Sequence, residues 1–569
     1  MSYRKKTITT GVAAGIFIVV LFSHFLSRNL TSGDSAYSIH TAISIIKDGN
    51  IDLDEYEEVI KARTNHLHTV KQLNGHYYYA YPVGAPVLSI PIVYLVDKVL
   101  PPLLNSFPSV EKYIRNRVNL QSGPIVPESI HSLVEGFIAS IWIALTACCL
   151  YFITIPILGT RISLFVIFIF AFCTSAWSSA SRALWPHGPS MFMLALTLLI
   201  IIRSEKKPYL IWLTSIPLAF SYIIRPTNII SVIVFTVFVF FRYRKFFLRY
   251  FLGLVTLLGI YFVFSYKTYG ALISPTYMSQ GVMPEPNFVE GLLGVLFSPS
   301  RGLFIFSPIF LFIFFGVFLK IKKNQFATHD NYLLAILICH WLMIGMFPRW
   351  WGGWSFGPRY FSDIIPYLIY FMLPTFEFLK LLSGAKRWVY SCVLLSFVVF
   401  GFFVHFRGAM HKDVLDWNAF PASIDLTLER LWDWKDMQFL RGFVNEHADF
   451  SFKAKIEKIS FSDADDLRFL IRVSNTGTYK WKRKTNEVLR VGCRIFKTWD
   501  GDASPDLELR EELPRDVIKM GDSFDTIFVI NKESLDRGLY KIEIDLIREN
   551  IFWFRTIGSQ SLIDYFAIL

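Results

Sequence analysis

The chain has 569 residues, 53% of them hydrophobic and 17% aromatic, with a mean hydropathy of +0.42. Soluble domains seldom reach that apolar and aromatic content. A formal charge of +12 would suit a nucleic-acid binder, but the cations cluster between long apolar runs, which excludes that partner and points to a membrane protein.

Taking about 17–25 apolar residues as one crossing, the sequence predicts eleven spans, some of them short. They lie near 9–28, 129–153, 162–180, 188–202, 208–224, 228–241, 249–267, 302–319, 331–347, 362–379 and 388–404. Arg4, Lys5 and Lys6 precede the first. Further basic groups fall in every second gap: Arg161; Arg203, Lys206 and Lys207; Arg242, Arg244, Lys245 and Arg249; Lys320, Lys322 and Lys323; Lys380, Lys386 and Arg387. Basic loops mark the cytoplasmic side, so the N-terminus is expected inside and the C-terminal tail outside. The first span has a basic start and no small-residue cleavage site before Asp34, so it reads as a retained signal anchor.

Residues 29–128 form a long first external loop. It opens with Gly33-Asp34, a carboxylate just past the first span, where an ionisable group is costly and therefore a functional candidate. Residues 36–47 carry helically spaced Ala36, Ile39, Ala42, Ile43 and Ile46, as in an amphipathic helix on a membrane surface. Asp34 could be the N-cap of that helix or a partly desolvated general base, and one residue can do both. Asp52, Asp54 and Glu55 could bind a metal, orient an acceptor or form a solvated loop; their spacing matches no calcium or zinc template. The run 83–97 is short and proline-broken, and counting it as a span would invert every later loop, so it is expected to lie in the interface.

The remaining polar signals sit in the outer gaps. Arg182, Trp185 and His187 share one turn and could hold a sugar or a phosphate. Arg225 opens Arg-Pro-Thr-Asn, Arg301 lies in Ser298-Pro-Ser-Arg-Gly302, and Arg359 lies in Trp350-Trp-Gly-Gly-Trp-Ser-Phe-Gly-Pro-Arg-Tyr360. Outer arginines run against the charge rule, and bidentate binding of a lipid-linked phosphate would explain them. Anionic headgroups or loop carboxylates are the other partners open to them. Tyr78, Tyr81, Trp350, Trp351 and Trp354 could stack on sugar faces or form interface belts. Five of the six cysteines lie within spans and Cys493 outside them, with no disulfide framework or zinc spacing.

Residues 405–449 form a Trp- and Asp-rich interfacial connector (Trp417, Trp432, Trp434). Beyond 450 the period changes to two, with Phe469, Ile471, Val473 and then Tyr540, Ile542, Ile544, Leu546. Turn signals at Asn475-Thr-Gly477, Asp500-Gly501, Met520-Gly521 and Arg537-Gly538 separate the runs. They predict a small extracytoplasmic β-sandwich over 450–569.

Over residues 1–404 the chain resembles the GT-C superfamily of membrane glycosyltransferases. The resemblance rests on the span count, on Gly33-Asp34 after the first span, on the long first loop, and on Tyr81-Pro-Val-Gly-Ala-Pro86. The segment Gly352–Tyr360 is similar to loops of bacterial members. It implies transfer of a monosaccharide from a polyprenyl-phosphate donor to an envelope glycan or glycolipid on the outer face of the inner (plasma) membrane, usually with inversion. Asp34 would be the base. Arg225, Arg301 and Arg359 are the candidates for the donor phosphate. Asp52, Glu55, Tyr78, Tyr81, Arg182, Trp185, His187 and Trp354 are the pocket candidates. No cofactor is required, and a divalent metal is left open by the acidic loop. Ser35 stands where many protein-O-mannosyl members carry a second acid, and Trp350-Trp-Gly-Gly-Trp354 lacks the Asp and Tyr of a WWDYG-type signature. The C-terminal part resembles an immunoglobulin-like accessory domain on Val473–Gly477, Trp481, Leu513-Pro514, Gly538–Tyr540 and Trp553-Phe554, which would position the acceptor. A transporter of polysaccharide or lipid-linked sugar, and a non-catalytic glycan-binding scaffold, are the alternatives. Transporters tend to show internal repeats, and none is visible.

Overall fold

The computed structural model describes residues 3–62, 69–118, 120, 123–278, 287–420, 423–425, 427–443, 453–463, 466–477, 480–482, 489–497, 505, 507–548, 552–557 and 559–568. The chain forms two units, residues 1–415 with 429–439, and residues 416–428 with 440–569. The connector expected over 405–449 is thus divided between them. The turn signal Asp500-Gly501 lies outside the described residues.

The first unit is helical. Its principal helices are α1 (Tyr3–Phe25), α2 (Ser38–Lys47), α3 (Gly84–Ser106), α4 (Pro108–Val118), α5 (His131–Leu158), α6 (Thr160–Phe172), α7 (His187–Ser204), α8 (Ser215–Ile224), α9 (Ile229–Arg242), α10 (Arg244–Tyr269), α11 (Phe288–Phe297), α12 (Phe312–Lys322), α13 (Thr328–Gly345), α14 (Ile365–Leu381) and α15 (Gly384–Met410). Among the described residues seven helical segments are long and apolar enough to cross a membrane. They are 8–25, 84–106, 131–158, 187–204, 244–269, 359–381 and 384–410. Each of the eleven expected runs contains helix, but the runs near 162–180, 208–224, 228–241, 302–319 and 331–347 do not appear among the seven.

Three expectations for the first loop need correction. The run at 83–97 is neither short nor broken: α3 continues for 23 residues through Pro91, Pro101 and Pro102. Pro86, in its first turn, meets little cost because a first-turn N–H has no intrahelical acceptor to lose. The helix expected from Ala36 begins at Ser38, and its N-cap is Tyr37 with no side-chain cap bond, so Asp34 does not cap it. The apolar face of α2 is not laid on a membrane surface. Ile39, Ala42 and Ile43 are wholly buried in a cluster with Ala85, Val93, Leu133 and Val134.

Twelve strands are described: β1 (Val70–Leu73), β2 (His76–Tyr79), β3 (Ala454–Asp463), β4 (Asp466–Asn475), β5 (Trp481–Lys482), β6 (Leu489–Lys497), β7 (Leu507–Glu512), β8 (Val517–Ile518), β9 (Ser523–Asn531), β10 (Gly538–Arg548), β11 (Phe552–Trp553) and β12 (Leu562–Ile568). The first two make a hairpin turned at Asn74-Gly75, both with positive φ. In the second unit one sheet runs β3-β4-β9, and another runs β11-β10-β6-β7 with β12 also on β10; β5 pairs with β8. Both large sheets turn their alternate residues into one core, Phe469, Ile471, Val473 and Phe528 from the first and Cys493, Ile495, Ile542 and Ile544 from the second. Trp481, Leu513 and Phe554 complete it. The Tyr540 hydroxyl donates to the Asp536 carbonyl 2.8 Å away, tying the start of β10 to the preceding turn.

Candidate functional site

The site begins where α1 ends. Arg182 donates to the carbonyls of His24 at 2.5 Å and Asn29 at 3.4 Å, and the Asn29 amide donates to the carbonyls of Gly408 and His411 at 2.8 Å. Arg182 is 1% exposed. It braces the exit of α1, rather than lining a pocket as the sequence suggested. Beyond it, the turn carrying Asp34 is pinned by a carboxylate that sequence reasoning passed over. Glu135, wholly buried in the first turns of α5, accepts from the Ser32 hydroxyl at 2.6 Å, from Ser35, and from His131 Nδ1 at 3.0 Å. It also accepts from the Leu184 amide at 3.3 Å, next to Trp185.

Asp34 Oδ2 lies 3.1 Å from Arg359 Nη2. The Arg359 guanidinium sits over the Trp185 ring at 4.9 Å and the Tyr360 ring at 5.3 Å. Gly352 adopts φ +76°, and a Cβ there would come within 3.1 Å of the Arg359 side chain, so the glycine admits the arginine stem. The Tyr79 hydroxyl donates to the Asp34 carbonyl at 2.8 Å. The Tyr81 phenol hydrogen-bonds the Asp34 side chain; burial and then the Asp34 charge push it well above its usual range, with Arg359 opposing, so it stays protonated and a donor.

A second ionic group also meets the Tyr360 ring. Arg225 stands over that ring at 5.5 Å and is paired with Asp363, whose other oxygen is 2.9 Å from His187 Nδ1. Arg225 Nη1 lies 2.9 Å from the same Nδ1, so that nitrogen can donate to the carboxylate or accept from the guanidinium. All three groups are nearly or wholly buried. Gly84 explains why the Tyr81–Pro86 segment reaches this place. A Cβ at Gly84 would lie 2.7 Å from the backbone of Ile223 and Ile224, so only glycine lets the start of α3 close on the end of α8, next to Arg225. Thr276 docks on the Ala80 carbonyl through its amide and hydroxyl, at 3.0 and 2.8 Å. Next to it, burial pushes the Tyr277 phenol up to about 12, with Arg225 opposing and Tyr360 and Asp363 adding to it, which places that hydroxyl in the same electrostatic neighbourhood.

Six of the sequence-derived candidates are therefore joined through direct contacts: Asp34, Tyr81, Trp185, His187, Arg225 and Arg359. Arg301 stands apart in its bonding. It donates to the carbonyls of Trp351 (2.9 Å), Ser300 (2.8 Å) and Gly353 (3.1 Å) and to Gln438 Oε1 (2.7 Å), which fixes the Trp350–Gly353 turn. It shares a small crevice with Arg359, Trp350 and Trp351. Trp354 is 49% exposed. Tyr78 packs edge-on to Tyr269 at 5.9 Å, and Glu55 accepts from Ser44.

Asp52 lies with Asp54 and His76, and their ligand atoms fall within 4.8 Å of one another. They are the one group among the described residues whose ligand atoms are gathered closely enough to hold a metal ion. His76 Nδ1 is 2.5 Å from Asp54 Oδ2, and the Tyr77 amide donates to Asp54 at 2.8 Å. Burial raises the Asp54 carboxyl, but the Tyr77 amide and His76 outweigh it and hold the group below its ordinary value. The hydrogen bond and charge of Asp54 push His76 up.

The fold and site define a mostly helical chain with apolar helices long enough to cross a membrane, a C-terminal β-sheet unit, and a buried acid–arginine–aromatic cluster between helix ends. No family, curated protein or solved structure matches the chain.

Proposed function

We propose that the chain is an integral inner-membrane glycosyltransferase of the GT-C type. It moves a monosaccharide from a polyprenyl-phosphate donor to an envelope glycan or glycolipid on the outer face. The N-terminus lies in the cytoplasm and the C-terminal unit outside. The observation that carries this reading is the contact of Asp34 with Arg359 under Trp185 and Tyr360, with the Tyr81 phenol on the same carboxylate. A general base beside a phosphate-binding guanidinium, walled by aromatic faces that suit a sugar ring, is what displacement at an anomeric carbon requires.

In the reaction the acceptor hydroxyl attacks C1 of the sugar and its proton passes to Asp34. The C1–O bond to phosphate breaks, and its electron pair leaves with the polyprenyl phosphate. Arg359 offsets the charge that accumulates there. The Arg225–Asp363–His187 group holds Tyr360, and so the second wall of the guanidinium. No step needs a metal or cofactor. The test is sugar release from a panel of polyprenyl-phosphate sugars by wild type and Asp34→Asn in nanodiscs. Release by wild type and its fall by at least about 100-fold in the variant is the expected outcome. Flipping of labelled lipid with no polyprenyl phosphate released would instead indicate a transporter.

A further inference from the structure

Among the arginines gathered near the site, three have their charge or their donors already committed. Arg182 donates to the carbonyls of His24 and Asn29, Arg301 to three carbonyls and a glutamine oxygen, and Arg225 is neutralised by Asp363. Arg359 Nη2 meets Asp34 Oδ2, while its buried Nε has no hydrogen-bond partner among the described residues, and neither has the indole Nε1 of Trp185 packed against it. Arg182 Nε is also without one, but that residue is only 1% exposed, whereas the Arg359 side chain is 14% exposed and paired with a carboxylate that itself reaches solvent. A guanidinium held between two rings offers a ligand its edge, and that edge suits a bidentate oxyanion.

Asp34 is the part able to withdraw. Its side chain is 22% exposed against 14% for Arg359. The adjoining Gly33 has open space around it, and the Tyr81 phenol already offers the carboxylate a second partner. The arginine, by contrast, is walled by Trp185, Tyr360 and Gly352.

We infer that Arg359 is the donor-phosphate subsite, and that in the resting enzyme the Asp34 carboxylate occupies it. This rests on the transferase reading above and narrows three candidate arginines to one. The donor's phosphodiester oxygens displace Asp34 from the guanidinium edge. Asp34 then remains on Tyr81, no longer paired with Arg359, and faces the acceptor hydroxyl. Donor binding thus precedes competent acceptor binding, and the base is masked until the sugar to be transferred is in place.

The experiment measures the Kd of a polyprenyl phosphate for wild type, Asp34→Asn and Arg359→Gln in nanodiscs, with sugar transfer assayed on the same preparations. Removing the resting occupant is expected to tighten binding by roughly threefold to tenfold in Asp34→Asn. Removing the guanidinium is expected to weaken it by about tenfold or more in Arg359→Gln. Unchanged or weaker binding by Asp34→Asn overturns the inference, and that arm decides alone where Arg359→Gln does not fold. Wild-type affinity in folded Arg359→Gln also overturns it. The expected Kd pattern without transfer from any donor leaves the subsite standing and removes the transferase reading. A folded wild type that binds no polyprenyl phosphate removes both.

Discussion

Glu135 holds together two chain segments that reach the site from different directions. Its oxygens take the hydroxyls flanking Asp34 and the amide preceding Trp185, so the proposed base and one of the rings packed on Arg359 share a single anchor. It touches neither Asp34 nor Arg359 through any of these bonds and acts as a positioning residue. Misplacing a reacting group by about 1 Å can cost about 100-fold in rate. Glu135→Ala is expected to lower kcat for sugar transfer by that order while donor Kd changes little. Glu135→Gln, whose amide oxygen still accepts, should recover part of the loss. A wild-type kcat in Glu135→Ala, or equal losses in kcat and donor affinity, would contradict the role. Asp34 was legible in the sequence because a carboxylate past a membrane-length run is costly. The same argument applies to Glu135 and Asp363, which sit inside apolar runs, yet the serines that hold Glu135 lie 100 and 103 positions away and the partners of Asp363 138 and 176, and the one local sign was His131, four residues before Glu135. Arg301 and Arg182 show the converse. An outer arginine looks like an anion site in the sequence, while its buried bonds to carbonyl oxygens are visible only once distant turns are brought together.

At the scale of elements, β10 carries a polar pair on the face opposite its core residues. Glu543 and Asp545 are almost wholly buried there, flanked by Arg494, which stacks on Trp553 at 4.0 Å, and by Arg555, whose amide donates to Asp545 at 2.7 Å. Burial pushes the Asp545 carboxyl up to about 6, against the Arg555 and Leu546 amides and the Arg494 charge. The second carboxylate oxygen has no hydrogen-bond partner among the described residues. A carboxyl whose folded pKa lies above its unfolded one binds more protons in the fold. Its unit therefore loses stability as pH rises from about 4 through about 6, on the order of 3 kcal/mol in all. In the full chain, Asp545→Asn should slow hydrogen exchange of residues 538–548 at pH 7.5 relative to wild type, and the difference should vanish below about pH 4. Equal exchange at pH 7.5 would refute it. The strand itself was readable from the alternation Tyr540, Ile542, Ile544, Leu546, because a period of two survives any sheet pairing. Helix α3 was not. Its prolines read as breaks, although one in the first turn has no helical bond to interrupt and the helix continues through the others.

For the molecule as a whole, the orientation of α3 decides the topology. By length and composition it could cross a bilayer. At 23 residues it is about 34 Å long, and the 11-residue α4 can return only about 16 Å. Yet Arg117 near the end of α4 donates to the Ser27 carbonyl just beyond α1, and Val93, Leu100 and Ile114 all pack with Leu133–Trp142 in the first turns of α5. The proposed topology lays α3 along the surface, which is compatible with both contacts and keeps the basic gaps on one side. Single cysteines at Glu111 and at Asp48 should both react with a membrane-impermeant maleimide added outside intact cells. Labelling of position 48 alone would place α3 across the membrane and invert the later loops. The central claim, that Asp34 is the base of a sugar transfer, is tested most directly by mass spectrometry of sugar released from polyprenyl-phosphate donors in nanodiscs. The account predicts release by wild type, none by a folded Asp34→Asn, and tighter polyprenyl-phosphate binding in that same variant. Equal release by the two proteins would contradict it.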